Sequence, residues 1–165
     1  MTHTHEISVL LVCLGNICRS PLAEGVLSHQ LGKAGMDDQI YVDSAGTGAW
    51  HVGQNPDTRS ILVAKKNGIS LSGLARQVRL EDFFDFQLIL AMDRENLEDL
   101  KKLESDIGSE ADIRLFREFD PLHDGGLDVP DPYYGGPKGF DQAFEMIERT
   151  SVALVRHLHK KVTSE

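Results

Sequence analysis

The sequence predicts an α/β fold built on a parallel sheet, and three observations carry that prediction. Short apolar runs recur at 7–12, 40–43, 86–92 and 113–116. Stretches with helical spacing of apolar residues separate them. Gly, Pro, Asn and Asp punctuate the junctions. Strands alternating with helices pack as parallel strands joined by crossover helices, and right-handed crossovers limit the possible topologies.

Each element has its own signal. Residues 7–12 form a continuous apolar run, as a central parallel strand requires. Residues 21–33 read as a helix, with Leu22, Val26 and Leu27 on one face and Gly35 just past the end. Residues 40–43 read as a short strand, followed by a glycine-bearing loop over 45–53. Asn55 is placed to cap a helix with Pro56 at its first position, running to Gly68. Residues 70–82 read as irregular. The third strand is expected over 86–92, and Asp93 then caps a helix reaching about Leu103. Residues 113–116 make the fourth strand. Residues 117–137 form a long loop rich in Gly, Pro and Asp, and loops of that length in a compact domain tend to be functional. The last helix spans 139–161, with Phe140, Phe144, Ile147, Leu154 and Leu158 near helical spacing.

Composition bounds the function classes. A chain of 165 residues fits one domain over 1–165. With 41% hydrophobic and 26% charged residues, it can build a core and does not read as disordered. The start, Met1 to Glu6, lacks the basic and apolar regions of a signal peptide, so a cytoplasmic protein is expected. Two cysteines, Cys13 and Cys18, do not make a disulfide framework and fit no zinc spacing. No metal and no cofactor are expected. The formal net charge of −9 disfavours nucleic acid and anionic membranes as partners. A domain of this size is expected to be a monomer.

The chemistry concentrates at Cys13-Leu14-Gly15-Asn16-Ile17-Cys18-Arg19, followed by Ser20 and Pro21. The segment reads as strand, short loop, helix, with Cys13 at the C-terminal end of the strand, where open α/β sheets place their ligands. A loop closing onto a helix N-terminus points backbone N–H groups inward and binds anions, phosphate above all. The same field favours the thiolate of Cys13. Arg19 adds a planar fork matched to two phosphate oxygens. A cation at a helix N-terminus opposes the macrodipole unless an anion sits between them. Gly15 and Asn16 are the residue types that tolerate positive φ in such a loop. A nucleophile beneath a bound phosphoryl group is the arrangement that phosphoryl transfer to sulfur requires. Ser20 has two possible roles, a hydrogen bond to the Cys13 sulfur or a helix cap. Asp124, Asp128 and Asp131 are alternatives for a general acid, and these residues alone do not separate them.

The segment Val12-Cys13-Leu14-Gly15-Asn16-Ile17-Cys18-Arg19-Ser20-Pro21-Leu22-Ala23-Glu24 resembles the signature of the low-molecular-weight protein tyrosine phosphatases. Asp43-Ser44-Ala45-Gly46-Thr47, Ala75-Arg76-Gln77-Val78, Ala91-Met92-Asp93 and Asp131-Pro132-Tyr133-Tyr134-Gly135 follow in the family's order, over nearly the whole chain. The resemblance implies a flavodoxin-like four-stranded sheet of order 2-1-3-4 with helices on both faces. It implies hydrolysis of protein phosphotyrosine through a phosphocysteine on Cys13. Arg19 and the loop Leu14, Gly15, Asn16, Ile17 and Cys18 would bind phosphate, and Ser20 would donate to the Cys13 sulfur. It selects Asp131 as the general acid and base. It places Trp50, Tyr133 and Tyr134 at the rim of the cleft, where aromatic walls suit an aryl phosphate. It also implies that Cys18 traps oxidised Cys13 as a reversible disulfide.

One position departs from the family. Eukaryotic members often carry a histidine where Gly73 stands, so a supporting hydrogen bond to the loop asparagine is expected to be absent or replaced here. Three rivals can be weighed on residues. Thioredoxin-coupled arsenate reductases share the fold and loop but need a third thiol, and this chain has two cysteines. Protein arginine phosphatases typically have threonine at the Ile17 position. A phosphotyrosine-binding module without activity would lack the nucleophile or the acid, and candidates for both are present.

Overall fold

The computed structural model describes residues 6–123, 126–134 and 136–163. The elements run β1 (Ile7–Cys13), α1 (Arg19–Lys33), β2 (Ile40–Gly46), α2 (Thr58–Lys66), α3 (Asp82–Asp85), β3 (Leu88–Ala91), α4 (Arg94–Glu104), β4 (Asp112–Leu115) and α5 (Pro137–Thr163). The four strands form one parallel sheet of order β2-β1-β3-β4. The fold class and strand order therefore agree with expectation.

The sheet divides the core in two. Val9, Leu11 and Cys13 pack with α1, α2 and α5, whereas Leu10 and Val12 pack with Phe83 of α3, Leu100 of α4 and Ile89 of β3. Strand alternation sends consecutive side chains to opposite faces, and Val9 to Val12 are all fully buried. Truncating a leucine at such a position costs about 2–5 kcal/mol. The strand that carries Cys13 is thus clamped from both sides. β1 is also where the topology switches direction: the chain goes from β1 out to β2, then returns to place β3 on the other side. The crevice at the C-terminal ends of β1 and β3 opens there.

Several boundaries differ from the sequence expectation, each for a local reason. α1 begins at Arg19 rather than at Pro21, and the Leu22 N–H already bonds to the Cys18 carbonyl at 3.3 Å. Pro21 sits within the first turn, where its missing N–H costs nothing. The α2 cap is Asp57, not Asn55. The Asp57 side chain accepts from the Arg59 N–H at 2.8 Å, and its own N–H donates to the Ile17 carbonyl at 2.7 Å. Pro56 therefore precedes the helix. β2 runs on to Gly46, paired with Cys13, and a bridge from Gly46 to Gln77 draws the 76–78 segment alongside. β3 covers Leu88–Ala91, shorter than the expected 86–92, because Phe86 ends the helical turn α3 that begins at Asp82. Within the long loop, 3-10 turns form at Phe116–Phe119 and Pro132–Tyr134. Asp124 lies outside the described residues, as does Gly135.

Candidate active site

Residues 13–19 wrap around the Cys13 sulfur. Asn16 has φ +56°, the left-handed region that asparagine tolerates, and this turn aims its N–H at Cys13 Sγ, 3.3 Å away. Ser20 Oγ lies 3.0 Å from the same sulfur. It accepts a hydrogen bond from Asn16 Nδ2 at 2.8 Å, so its one proton is left for the sulfur or for the Ala45 carbonyl at 3.4 Å. With Cys13 ionised the proton can go only to the sulfur or to that carbonyl; with Cys13 neutral, its thiol can donate to Ser20 Oγ instead. The capping alternative for Ser20 is not realised: Cys18 occupies the cap position and makes no side-chain cap bond. The Asn16 N–H and the Ser20 hydroxyl thus converge on Cys13 Sγ, an arrangement suited to negative charge there.

Behind the loop, Asn16 is the central tie. Its Nδ2 donates to Ser20 Oγ and to Ser44 Oγ at 3.0 Å, and its Oδ1 accepts from the Arg76 N–H at 3.0 Å. Ser44 Oγ in turn donates to Glu24 Oε1 at 2.6 Å. Burial pushes the Glu24 carboxyl up to about 7, with the Ser44 bond opposing and the charge of Asp43 adding to it. These bonds answer the question raised at Gly73. Asn16 is held by two serines and a backbone N–H, and Gly73 itself adopts φ +93°, a path closed to most side chains.

Gly15 was expected to supply a positive φ, and it does not. A Cβ there would meet His51 Cδ2 at 2.9 Å, so the His51 ring would have to shift. Gly46 is constrained more tightly, because a Cβ would lie 2.7 Å from the Leu14 carbonyl oxygen. Its neighbours Thr47 and Gly48 donate their N–H groups to the carbonyls of Cys13 and Leu14 at 2.9 Å each. The loop is therefore laced to the end of β2 through backbone that only glycine lets close.

Arg19 is 3% exposed. Its Nη1 donates to Asp93 Oδ2 at 2.6 Å and to the Val129 carbonyl at 2.9 Å. Among the described residues, no protein hydrogen bond is made by Nε or Nη2, and that edge of the fork is available to an anion. Burial works against the charge of Arg19, but Cys13 beside it and the Asp93 bond more than offset this and raise its affinity for the proton. Asp131 Oδ2 stands 3.7 Å from Arg19 Nη2, while Asp131 Oδ1 accepts from the Tyr133 N–H at 3.0 Å. Asp128 does not face the loop. Its Oδ1 accepts from the Arg94 N–H at 3.0 Å.

A cavity of about 430 Å³ opens over the sulfur. Its floor is Cys13, Gly15, Ile17, Cys18 and Arg19; its walls are Leu14, Trp50, His51, Asp131 and Tyr133. Trp50 is 71% exposed, so it is a rim residue with no part in the core. Asn16 and Ser20 lie behind the floor. The backbone of Tyr134 closes the 3-10 turn, and its side chain lies outside the described residues. Burial, with the Asp57 carboxylate next in effect, pushes the Cys18 thiol up to about 12. Cys18 therefore stays a neutral thiol. Both cysteines are free.

Sequence reasoning took Asp93 for a helix cap only. It does cap α4, accepting from the Asn96 N–H at 2.8 Å, while its other oxygen holds Arg19 from 74 positions away. His51, Ser44 and Glu24 were likewise not singled out. His51 had one available signal, its place next to Trp50. The chain Glu24–Ser44–Asn16 had none, because β2 brings it together only in the fold.

Comparison with known proteins agrees with this architecture. Residues 8–164 match the profile of the family described as low molecular weight phosphotyrosine protein phosphatase. A relative of that description from Schizosaccharomyces pombe is 46% identical over 142 residues, which cover 86% of this chain and 90% of the relative. The crystal structure of a protein tyrosine phosphatase from Entamoeba histolytica superposes with TM-score 0.87 at 35% identity, covering 94% of this chain and 99% of the other. A drosophila arginine phosphatase superposes with TM-score 0.86 at 33% identity, covering 91% of this chain and 96% of the other. With the match spanning nearly its full length, the chain belongs to the low molecular weight phosphotyrosine protein phosphatase family.

Proposed function

We propose that the protein hydrolyses protein phosphotyrosine through a phosphocysteine on Cys13, as one catalytic domain that works as a monomer in the cytoplasm without metal or cofactor. The observation that carries the mechanism is the convergence of the Asn16 N–H and Ser20 Oγ on Cys13 Sγ, with Arg19 beside them on the cavity floor and Asp131 on its wall. The phosphate sits in the loop 14–18, with its equatorial oxygens on loop N–H groups and the open edge of Arg19. The thiolate attacks phosphorus in line. The S–P bond forms as the P–O bond to the aryl group breaks, and protonated Asp131 gives its proton to the departing oxygen. Phenolate leaves poorly, since phenol has a pKa of about 10, and this proton transfer is worth roughly 10²–10⁴-fold. In the second step Asp131 takes a proton from water as it attacks phosphorus, and the sulfur leaves as thiolate. The Ser20 hydrogen bond favours that departure.

Trp50 and Tyr133 flank an aryl ring in a cleft whose depth excludes shorter phosphoserine from the sulfur. Ile17 presents an apolar group at the floor, which suits phosphotyrosine over phosphoarginine. Nucleic acids and membranes are not partners on this proposal, and among the described residues no helix is long and apolar enough to cross a membrane. A reversible Cys13–Cys18 disulfide is the proposed redox control. Its formation is slowed at rest because Cys18 is held as the neutral thiol.

The test is hydrolysis of 4-nitrophenyl phosphate and a phosphotyrosyl peptide by wild type, Cys13→Ser and Asp131→Asn without added metal. Turnover should vanish in Cys13→Ser. Asp131→Asn should lose more on the peptide than on the nitrophenyl ester, whose phenolate needs little help. Activity surviving Cys13→Ser, or faster turnover of a phosphoarginyl peptide, would overturn the proposal.

A further inference from the structure

We infer that Arg59 is a positioning residue for proton delivery to the leaving group: it fixes the segment carrying Asp131 against the Cys13 loop. The inference rests on the general-acid role given to Asp131 above. Arg59 lies in the first turn of α2 and reaches in two directions. Its Nε and Nη2 grip the Asp57 carboxylate, each at 3.0 Å. This is the fork-on-fork pairing that sets orientation as well as charge. Asp57 is itself bonded to the Cys13 loop, its N–H donating to the Ile17 carbonyl at 2.7 Å. Ser60, one residue further on, donates to the Cys18 carbonyl at 3.3 Å.

The remaining nitrogen, Nη1, donates to the Tyr133 carbonyl at 3.1 Å. The guanidinium carbon also lies 5.3 Å from the Tyr133 ring centroid and 4.6 Å from that of Phe140, within cation–π range. Tyr133 then passes the constraint on, because its N–H holds Asp131 Oδ1 at 3.0 Å. One guanidinium therefore connects the nucleophile loop, through Asp57, to the acid, through Tyr133.

The upstream end of the acid segment is anchored elsewhere. Arg117 Nη1 donates to the Asp128 carbonyl at 2.8 Å, Arg19 to the Val129 carbonyl at 2.9 Å, and the Val129 N–H to the Met92 carbonyl at 2.8 Å. Asp131 stands between two prolines, Pro130 and Pro132, so the segment swings as a stiff unit if its downstream end is released. Arg59 exchanges no proton and forms no bond to substrate. Its effect is on the distance from Asp131 to the departing oxygen, and a misplacement of about 1 Å can cost on the order of 10²-fold.

The experiment compares kcat/KM for phenyl phosphate and 4-nitrophenyl phosphate in wild type, Arg59→Met, Arg59→Lys, Asp131→Asn and Asp131→Asn with Arg59→Met. Arg59→Met should lose roughly tenfold on phenyl phosphate and less than about threefold on 4-nitrophenyl phosphate, as expected for a group that acts through proton transfer. Arg59→Lys should recover part of the loss. With Asp131→Asn already present, Arg59→Met should cost nothing more, the non-additivity of two residues in one function. Equal losses on both esters, a further loss in the Asp131→Asn background, or no loss at all would overturn the inference. If Asp131→Asn loses nothing on phenyl phosphate, the general-acid role itself fails and the inference falls with it. Should Arg59→Met not fold, Arg59→Lys carries the same comparison.

Discussion

Replacing Glu24 with glutamine should change how stability depends on pH, with a sign fixed by the geometry. Glu24 Oε1 accepts from Ser44 Oγ at 2.6 Å, and burial pushes the carboxyl from its usual 4.5 up to about 7. In the unfolded chain a glutamate titrates near 4.3. Between these values the folded protein keeps a proton that the unfolded chain has released, so stability falls as pH rises. The contribution is fully present below about pH 4 and is lost as pH passes through about 7. One pKa unit corresponds to about 1.36 kcal/mol, so the full shift is worth about 3 kcal/mol, which partial contact with solvent trims to about 2 kcal/mol. Glutamine stays neutral and keeps an acceptor for Ser44. Glu24→Gln should therefore gain about 2 kcal/mol on wild type between pH 4.5 and pH 8. Urea unfolding at constant ionic strength across that range reads the difference, and titrations common to both proteins cancel. A difference that does not move with pH, or that favours wild type as pH rises, would refute the reasoning.

Two further predictions concern the site. Asp93→Asn keeps an N-cap for α4 but removes the charged partner of Arg19. Hydrogen bonds to charged groups are worth about 1.5–3 kcal/mol, so kcat/KM for 4-nitrophenyl phosphate should fall roughly tenfold to a hundredfold; an unchanged value would mean Arg19 needs no partner. Trp50→Ala should raise KM for aryl phosphates and leave kcat and the urea midpoint nearly unchanged, because a side chain 71% exposed contributes little to the core. A lowered midpoint would make it a packing residue.

Much of this architecture is legible without coordinates because its signals are local. Apolar runs of strand length and helical spacing identify the β1 to β4 strands and the main helices, and Cys13 to Arg19 sits at a junction that physical chemistry associates with anions. The boundaries that moved did so through contacts from afar. Asp57 displaced Asn55 as the α2 cap because its N–H is taken by the Ile17 carbonyl, 40 residues earlier in the chain. Gly15 looked like a residue needed for its backbone freedom, yet its φ is not positive, and a Cβ there would instead crowd the His51 ring. Choosing Asp131 over Asp128 rested on the family's pattern; in the fold Asp131 lines the cavity over Cys13, whereas Asp128 Oδ1 accepts from the Arg94 N–H.

The parallel α/β class, the Cys13–Arg19 loop and the family are legible in the chain alone, since each is written in contiguous residues or in their period. How those groups are held emerges on folding. The Asp93 grip on Arg19, the Glu24–Ser44–Asn16 chain and the Arg59 link between loops join residues far apart in sequence. Such pairings depend on strand order and on where each loop leaves the sheet. Residue type and spacing encode neither, because side-chain chemistry is local whereas proximity is a property of the packed chain.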